Sequence, residues 1–190
     1  MKIGILSDTH GSSLYFDKAM DVLGECDLYL HAGDILYHGP RNDLPEGYNP
    51  KALTESLNDM DSIIFAKGNC EADVDQMVLN HPIQGPYALV QLDEFRFVVN
   101  HGYVGAKDEI IANAKNMGAD FLILGHTHVK ELSFDDTLII INPGSTSIPK
   151  DGSRSVAIVE INPDEDNDHE LNIDINFFDI DTGKIIEELY

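Results

Sequence analysis

Residues 2–10 read Lys-Ile-Gly-Ile-Leu-Ser-Asp-Thr-His, an apolar run that ends on a carboxylate and an imidazole at Asp8 and His10. Short β-rich runs bounded by turn residues are typical of buried strands. The segment therefore predicts a strand whose carboxyl end carries two side chains that can bind one metal ion. Taken alone, the pair is equally typical of a turn that precedes a helix.

Four further apolar runs end in a similar way. Residues 28–33 lead into Asp34, 63–68 into Asn69, 97–100 into His101, and 121–125 into a His-Thr-His segment. Ligands of open α/β sheets bind outside the carboxyl ends of the strands, so we expect these side chains to share one rim. Seven nitrogen and oxygen donors would then converge, enough for two metal ions: Asp8, His10, Asp34, Asn69, His101, His126 and His128.

Each motif also has an ordinary structural interpretation. The Gly-Asp pair at 33–34 and the Gly-Asn pair at 68–69 resemble common turns, and His101 is compatible with a hydrogen-bonded core histidine. The Gly-His-Thr-His segment at 125–128 is harder to explain structurally, because two charged imidazoles so close together would repel each other. Imidazole suits zinc, manganese, iron, nickel or cobalt. The ordered recurrence of all five motifs indicates a binuclear hydrolase.

The length and cysteine content predict a cytoplasmic enzyme with a single domain spanning residues 1–190. No apolar stretch approaches the roughly 18 residues of a membrane span. Asp8 interrupts the first apolar run too early for a secretory signal. Cys26 and Cys70 are the two cysteines, and their spacing does not indicate a disulfide scaffold or a thiolate zinc site.

The chain is strongly acidic. Its 12 Lys and Arg residues face 34 Asp and Glu residues, which gives a formal net charge of -22. Affinity for nucleic acids comes largely from neutralising phosphates with basic side chains, so we expect neither a nucleic-acid partner nor an anionic membrane partner. The same excess attracts divalent cations, although it is equally compatible with simple solubility.

Strand-like and helix-like segments alternate through the first two thirds of the chain. Helices are predicted after Ser12, from Asn49-Pro50 onward, and over 110–117 before Gly118. A hairpin is predicted to join 87–92 to 95–100, and from about residue 131 the pattern becomes strand-like. These segments predict two stacked sheets flanked by helices.

Two polar segments interrupt this pattern. Residues 36–49 form a long loop, and loops of that length in a compact domain are often functional. The acidic stretch 164–168 lacks the glycine and the later glutamate of a calcium-binding loop, so it predicts a solvated turn between strands.

The motifs Asp-x-His, Gly-Asp, Gly-Asn, His-Gly and Gly-His-Thr-His in this order resemble the calcineurin-like metallophosphoesterase superfamily. Residues 38–42, 44–48, 68–71 and 73–77 resemble its small bacterial YfcE-type phosphodiesterase branch more closely. The resemblance covers nearly the whole chain. It implies an α/β (α+β) fold, a four-layer αββα sandwich of two stacked mixed β-sheets flanked by helices, and a two-metal phosphodiesterase that acts on small-molecule phosphodiesters.

By resemblance, three side chains hold each metal and a seventh bridges the two ions: Asp8, His10 and His128 for one, Asn69, His101 and His126 for the other, and Asp34 between them. A bridging carboxylate keeps two dications about 3.5–4 Å apart, so a water between them becomes a hydroxide that attacks phosphorus in line. We expect two divalent transition-metal ions. Manganese is the first expectation, and zinc, iron, nickel or cobalt also suit these donors.

Cys70 departs from the pattern of many superfamily members, which carry histidine directly after the metal-binding asparagine. A thiol can donate a proton, but it is a weak hydrogen-bond donor without the charge of imidazolium. We take Cys70 as a candidate catalytic residue on the leaving-group side, with a small half-buried filler as the alternative. The hypothesis predicts a preference for leaving groups that need little protonation, such as those of aryl phosphodiesters.

Other residues and functions have two interpretations each. Arg41 is a candidate phosphate contact, or an arginine bonded within its own loop, while His31 inside an apolar strand is interpreted as structural. The superfamily also contains catalytically weak or inactive protein-binding scaffolds. All seven ligand positions are intact here, which favours catalysis. The β-rich C-terminal half offers strand edges for a homodimer or a higher homo-oligomer.

Overall fold

The computed structural model describes residues 1–163 and 171–188, so the predicted acidic turn at 164–168 lies outside the described residues. The helices are α1 (Ser13–Leu23), α2 (Pro50–Asn58), α3 (Asp73–Val78) and α4 (Lys107–Asn116). The strands are β1 (Lys2–Leu6), β2 (Leu28–His31), β3 (Ile63–Ala66), β4 (Ile83–Gln84), β5 (Ala88–Leu92), β6 (Phe95–Val99), β7 (Phe121–Ile123), β8 (Lys130–Asp135), β9 (Leu138–Pro143), β10 (Ser155–Pro163) and β11 (Leu171–Asp179). Over the described ranges, no helix is long and apolar enough to cross a membrane.

The strands form two mixed sheets. The first has the spatial order β11-β10-β1-β2-β3-β4, in which β1 to β4 are parallel and β10 is antiparallel to both of its neighbours. The second has the order β5-β6-β7-β9-β8, with a parallel centre and antiparallel outer strands. Parallel neighbours end at the same rim, so each sheet brings the loops after its parallel strands together.

Three apolar clusters separate four layers. The cluster between the sheets includes Ile5 and Leu30 from the first sheet and Phe97 and Phe121 from the second. A second cluster packs α1 and α2 on the first sheet, and a third packs α4 on the second sheet. The layers therefore run helix, sheet, sheet, helix, and the predicted four-layer αββα sandwich is confirmed.

The helices begin where capping residues occur in the sequence. The Ser12 hydroxyl accepts a hydrogen bond from the Tyr15 amide, and the Asn49 side chain accepts one from the Ala52 amide. Both side chains satisfy amides that have no partner inside the helix. The hairpin turn after β5 and the 36–49 loop also lie where predicted. Helix α3 was not predicted, because its six residues are too few to show helical periodicity.

Replacing Phe121 tests the core between the sheets. We expect Phe121→Ala to lower the free energy of unfolding by about 3–5 kcal/mol, because the side chain is fully buried and a cavity would remain. Its ring stacks on Phe97 with 4.4 Å between the centroids. Phe134→Ala is the matched control, since Phe134 is 66% exposed, and we expect a change within about 0.5 kcal/mol. Chemical denaturation measures both; equal losses would contradict the assigned core.

Candidate metal centre

Both sheets contribute to one cluster of polar side chains. Asp8 and His10 follow β1, and Asp34 follows β2. In the second sheet, His101 follows β6, and His126 and His128 follow β7. Backbone hydrogen bonds hold the first two loops side by side, from the Asp8 amide to the Gly33 carbonyl and from the His10 amide to the Asp34 carbonyl. The ligand loops are therefore continuations of the strand pairing, which limits their freedom.

Each of the two buried aspartates has one oxygen bonded to the surrounding protein and one oxygen facing imidazoles. Asp8 Oδ2 accepts hydrogen bonds from the Ser7 hydroxyl at 2.6 Å and the His126 amide at 3.1 Å. Asp8 Oδ1 lies 3.1 Å from His128 Nε2 and 3.6 Å from His10 Nε2. Among the described residues, this oxygen is buried without a hydrogen-bond partner.

Asp34 has the same arrangement on the neighbouring loop. Its Oδ1 accepts a hydrogen bond from the Cys70 amide at 2.8 Å. Its Oδ2 lies 3.3 Å from His101 Nε2 and 3.7 Å from His10 Nε2. Two carboxylates thus direct their free oxygens toward the same group of imidazole nitrogens.

Backbone carbonyls fix the tautomer of three histidines. The Nδ1 atoms of His10, His101 and His128 lie 2.7–2.8 Å from the carbonyl oxygens of residues 37, 32 and 148. A carbonyl only accepts hydrogen bonds, so each Nδ1 carries a proton, and in the neutral ring Nε2 presents a lone pair to the carboxylates. Lone pairs and carboxylate oxygens repel unless a cation lies between them. This is the arrangement of histidines that bind a metal.

The pKa shifts of the histidines and aspartates also indicate that the cluster favours a positive charge. Burial alone would lower the pKa of His101, but the adjacent Asp34 carboxylate and the negative charge of Asp8 raise it to about 9. The pKa of His10 is also raised against the effect of burial by Asp8. Burial would raise the pKa of Asp8, yet His10 and His128 hold it well below its usual range. The aspartates therefore stay ionised, and the cluster attracts a cation.

The side chains present fit divalent metal ions. Three sets in the described part of the chain have ligand atoms within 4.8 Å of one another: Asp8 with His10 and His128, Asp8 with Asp34 and His101, and Asp34 with His10 and Cys70. The partnerless Asp8 Oδ1 and His101 Nε2 both lie inside these sets. A mixture of carboxylate oxygens and imidazole nitrogens suits transition metals better than magnesium or calcium.

The remaining two predicted ligands lie at the edge of this cluster. Asn69 and His126 line one cleft of about 370 Å³ together with Asp34, Cys70 and His128. The Asn69 side-chain amide donates a hydrogen bond to the Cys70 sulfur at 3.3 Å. The ring centroids of His126 and His101 lie 5.3 Å apart. Burial and the charge of His101 lower the pKa of His126. All seven predicted side chains therefore surround a single site.

Five of the seven have left-handed backbone conformations, with φ between 45° and 69°: Asp8, His10, Asp34, His126 and His128. Within the described ranges, the other non-glycine residues with positive φ are Asp93 and Asp136, both in hairpin turns. This conformation is uncommon for residues with a side chain and is concentrated at functional sites. These uncommon conformations therefore occur at residues that carry candidate ligands.

Glu71 supports two ligand loops and was not predicted from the sequence. Its buried carboxylate accepts hydrogen bonds from the amides of Gly68, Asp34 and Ile35. The loop that carries Asn69 is thereby joined to the loop that carries Asp34. The available signal was an acid two residues after the candidate asparagine, a position where a carboxylate can turn back onto the loop.

His31 is structural, in agreement with its interpretation from the sequence. Its Nδ1 accepts a hydrogen bond from the Gly33 amide, and its Nε2 donates to the Thr9 hydroxyl, which in turn donates to the Ile35 carbonyl. Burial lowers the pKa of His31 to about 3, so the ring stays neutral. This chain of hydrogen bonds joins the loop of Asp8 and His10 to the loop of Asp34.

The cleft wall contains a thiol and two cations. Cys70 is half-buried, and burial together with the nearby Asp34 carboxylate raises its pKa, which keeps the thiol protonated. Arg41, one of the two interpretations of which was a phosphate contact, lines the cleft. Lys150 also lines it and was missed, because it lies on the loop after β9, far from the other motifs in sequence.

Comparisons with known proteins agree with this geometry. Residues 1–164 match the calcineurin-like phosphoesterase superfamily domain. Phosphodiesterase YfcE of Escherichia coli K12 is 37% identical over 156 residues, which cover 80% of this chain and 83% of that protein. The Methanocaldococcus jannaschii protein named probable metallophosphoesterase MJ0623 is 29% identical over 163 residues, covering 82% and 73% of the two chains.

Solved structures show the same fold. A structure of YfcE, described as a phosphoesterase from Escherichia coli, superposes with a TM-score of 0.79 and 31% identity, covering 98% of this chain and 97% of that one. Vps29 of Chaetomium thermophilum superposes with a TM-score of 0.61 and 15% identity, covering 94% and 95% of the two chains. The latter likeness shows the fold alone.

Glu71→Gln tests the support of the ligand loops. An amide has one accepting oxygen and places its NH₂ group against backbone donors, so we expect manganese affinity to fall about 10–100-fold. The free energy of unfolding should fall by about 1–3 kcal/mol. Calorimetric titration with Mn²⁺ and chemical denaturation measure these changes. Glu94→Gln, in an exposed hairpin turn, is the matched control. Unchanged manganese affinity in Glu71→Gln would contradict the role of Glu71.

Proposed function

This chain belongs to the calcineurin-like phosphoesterase superfamily, and from that membership we propose that it is a phosphodiesterase that hydrolyses small-molecule phosphodiesters at a centre of two divalent metal ions. The observation that carries the proposal is the pair of buried aspartates whose free oxygens face imidazole nitrogens at 3.1–3.7 Å. Such a cluster needs cations for its own stability. The similarity to YfcE, a protein named as a phosphodiesterase, favours diesters as substrates.

We assign Asp8, His10 and His128 to one ion, Asn69, His101 and His126 to the other, and Asp34 to both. The short distances from Asp34 Oδ2 to both His101 and His10 support a shared position for this carboxylate. Ions held by these residues would supply Lewis-acid chemistry, lowering the pKa of a bound water and withdrawing charge from the phosphoryl oxygens. Manganese stays the first expectation for the metal, and zinc, iron, nickel or cobalt also suit this mixture of carboxylate and imidazole donors.

The residues of the cleft wall would bind and orient the phosphodiester. Arg41 and Lys150 line the cleft, and in the ranges that the structure covers neither forms an ion pair. Both are therefore available to a phosphate oxygen, and arginine can bind one in a bidentate manner. In a chain of net charge -22, cations at this position give the substrate a local attraction that the rest of the surface lacks.

We propose that Cys70 acts near the leaving group. Its sulfur lies within 4.8 Å of the ligand atoms of His10 and Asp34. The protonated thiol can donate a weak hydrogen bond to a departing oxygen. A leaving group that carries its own negative charge well, such as a phenolate, needs no stronger acid.

The catalytic proposal is favoured over the protein-binding scaffold by the intact cluster. A scaffold would have no need for two buried, ionised carboxylates or for five strained residues around them. A single domain over 1–190, a cytoplasmic location and a homo-oligomeric state stay predictions from the sequence.

Metal removal and readdition tests the proposed function. Metal-stripped protein should hydrolyse bis(para-nitrophenyl) phosphate only after a divalent ion is added back, with Mn²⁺, Ni²⁺, Co²⁺, Zn²⁺ and Mg²⁺ tried separately. The corresponding monoester, para-nitrophenyl phosphate, should be the poorer substrate. We expect His126→Ala to reduce this turnover by at least roughly 100-fold, because a metal ligand is lost. His81→Ala, outside the cleft, should retain it. Absence of turnover with every metal would contradict the proposal and favour the scaffold.

Arg41→Ala and Lys150→Ala test substrate binding. We expect each to raise the KM for the diester roughly tenfold with little change in kcat, since a charge-assisted hydrogen bond to the bound phosphate would be lost. Steady-state kinetics with the preferred metal measures the effect. Lys107→Ala, which removes an exposed ion pair with Glu131, is the control. An unchanged KM in either cleft variant would remove that side chain from substrate binding.

A further inference from the structure

Cys70 lines two concavities, the candidate metal cleft and a larger groove of about 750 Å³. We call the second one the apolar groove and define it by Leu36, Tyr37, Tyr48, Pro50, Val74 and Val78. It lies between the 36–49 loop, α2 and α3. Its volume is typical of a pocket for a small organic molecule.

The apolar groove exposes side chains that would otherwise be expected in a core. Val74 is 59% exposed, Val78 is 44% exposed and Tyr37 is 41% exposed. One wall carries Tyr37 and Tyr48, and each of these rings packs edge-on against the ring of His38, with 4.6 Å and 5.4 Å between the centroids. Aromatic walls bind flat apolar groups through stacked and edge-on contacts. The groove therefore has the surface chemistry of an aromatic-binding site.

The apolar groove is attached to the metal cluster at two points. The carbonyl of Tyr37 accepts the hydrogen bond from His10 Nδ1, so this wall of the groove is bonded to a candidate metal ligand. On the other wall, the Cys70 sulfur lies within 4.8 Å of ligand atoms of His10 and Asp34. A phosphate bound at the cluster would therefore hold one of its ester arms beside the groove.

We infer that the apolar groove binds the leaving-group arm of the substrate, and that this arm is an aromatic alcohol in ester linkage. The inference rests on the proposed phosphodiesterase function. In the reaction, a water oxygen bonds to phosphorus and the bond from phosphorus to the aryl oxygen breaks. The products are a phosphomonoester and the aromatic alcohol. One proton of the water passes to the aryl oxygen, and the other is released to the medium. Thr54, Glu55 and Lys51 also line the groove and supply polar contacts for ring substituents.

Two substrates that differ only in the leaving group test this inference. Methyl phenyl phosphate and methyl naphthyl phosphate have leaving groups of similar acidity but different apolar area. We expect the manganese-loaded protein to prefer the naphthyl ester roughly tenfold in kcat/KM, because the second ring is buried in the groove. Val74→Gln and Val78→Gln should reduce this ratio to within about twofold of unity. Both residues are exposed, so the changes leave the core intact.

Leu89→Gln is the matched control, since Leu89 is 55% exposed on β5 of the second sheet, and it should keep the wild-type ratio. A ratio unchanged by both groove variants would overturn the inference. So would a wild-type ratio near unity.

A binding measurement separates failure of the inference from failure of the proposed function. Naphthol fluorescence can be titrated with metal-free protein, which requires no turnover, and we expect binding that Val74→Gln weakens about tenfold. Turnover of diesters without naphthol binding would overturn the groove assignment alone. Absence of turnover with every metal would overturn both the phosphodiesterase and the leaving-group role, even if naphthol bound. Turnover together with binding that Val74→Gln weakens would support both.

Discussion

Two ionised carboxylates buried against imidazole nitrogens are the constraint on which the rest of this structure depends. Asp8 and Asp34 each give one oxygen to hydrogen-bond donors of the protein and leave the other facing Nε2 atoms. The backbone carbonyls that hold the histidines through Nδ1 leave those Nε2 atoms without a proton in the neutral ring. Such a cluster is stable only with positive charge inside it, and a divalent ion supplies that charge while serving catalysis.

The cluster also explains why the protein is built as two stacked sheets. Its aspartates come from loops of the first sheet, and His101, His126 and His128 come from loops of the second. The packing between the sheets therefore sets the distance between carboxylates and imidazoles, so the apolar core determines the geometry of the polar site. Close approach of the loops requires glycine at Gly68 and Gly125, where a Cβ would collide with the Asp34 carboxylate and the Ser7 hydroxyl. Glu71 and His31 then join the loops through buried hydrogen bonds.

Two concavities of different chemistry, one cationic and one apolar, border the cluster. Arg41 and Lys150 line the cleft, where they would contact the phosphate in the proposed function, and the apolar groove beside it would hold one ester arm in the inference above. Cys70 borders both, so in the proposed function it would lie between the bound leaving group and the reacting phosphorus. A neutral thiol at this boundary is compatible with an apolar neighbour, whereas a charged imidazolium would be costly to bury there. The departure from the histidine of many superfamily members is thus consistent with the groove beside it.

The sequence alone predicted most of the strands, the main helices and the seven candidate ligands, because most strands carry an apolar run and each ligand follows one at close spacing. The two-residue strand β4 was not predicted, since it is too short to show a pattern. It also determined the long loop over 36–49 and the structural assignment of His31. Only the tertiary structure revealed Glu71, Lys150 and the apolar groove. These depend on contacts between segments distant in the chain, such as the Glu71 carboxylate with the amides of Asp34 and Ile35. Periodicity and motif spacing report local order, whereas such contacts exist only once the two sheets and their loops have packed together.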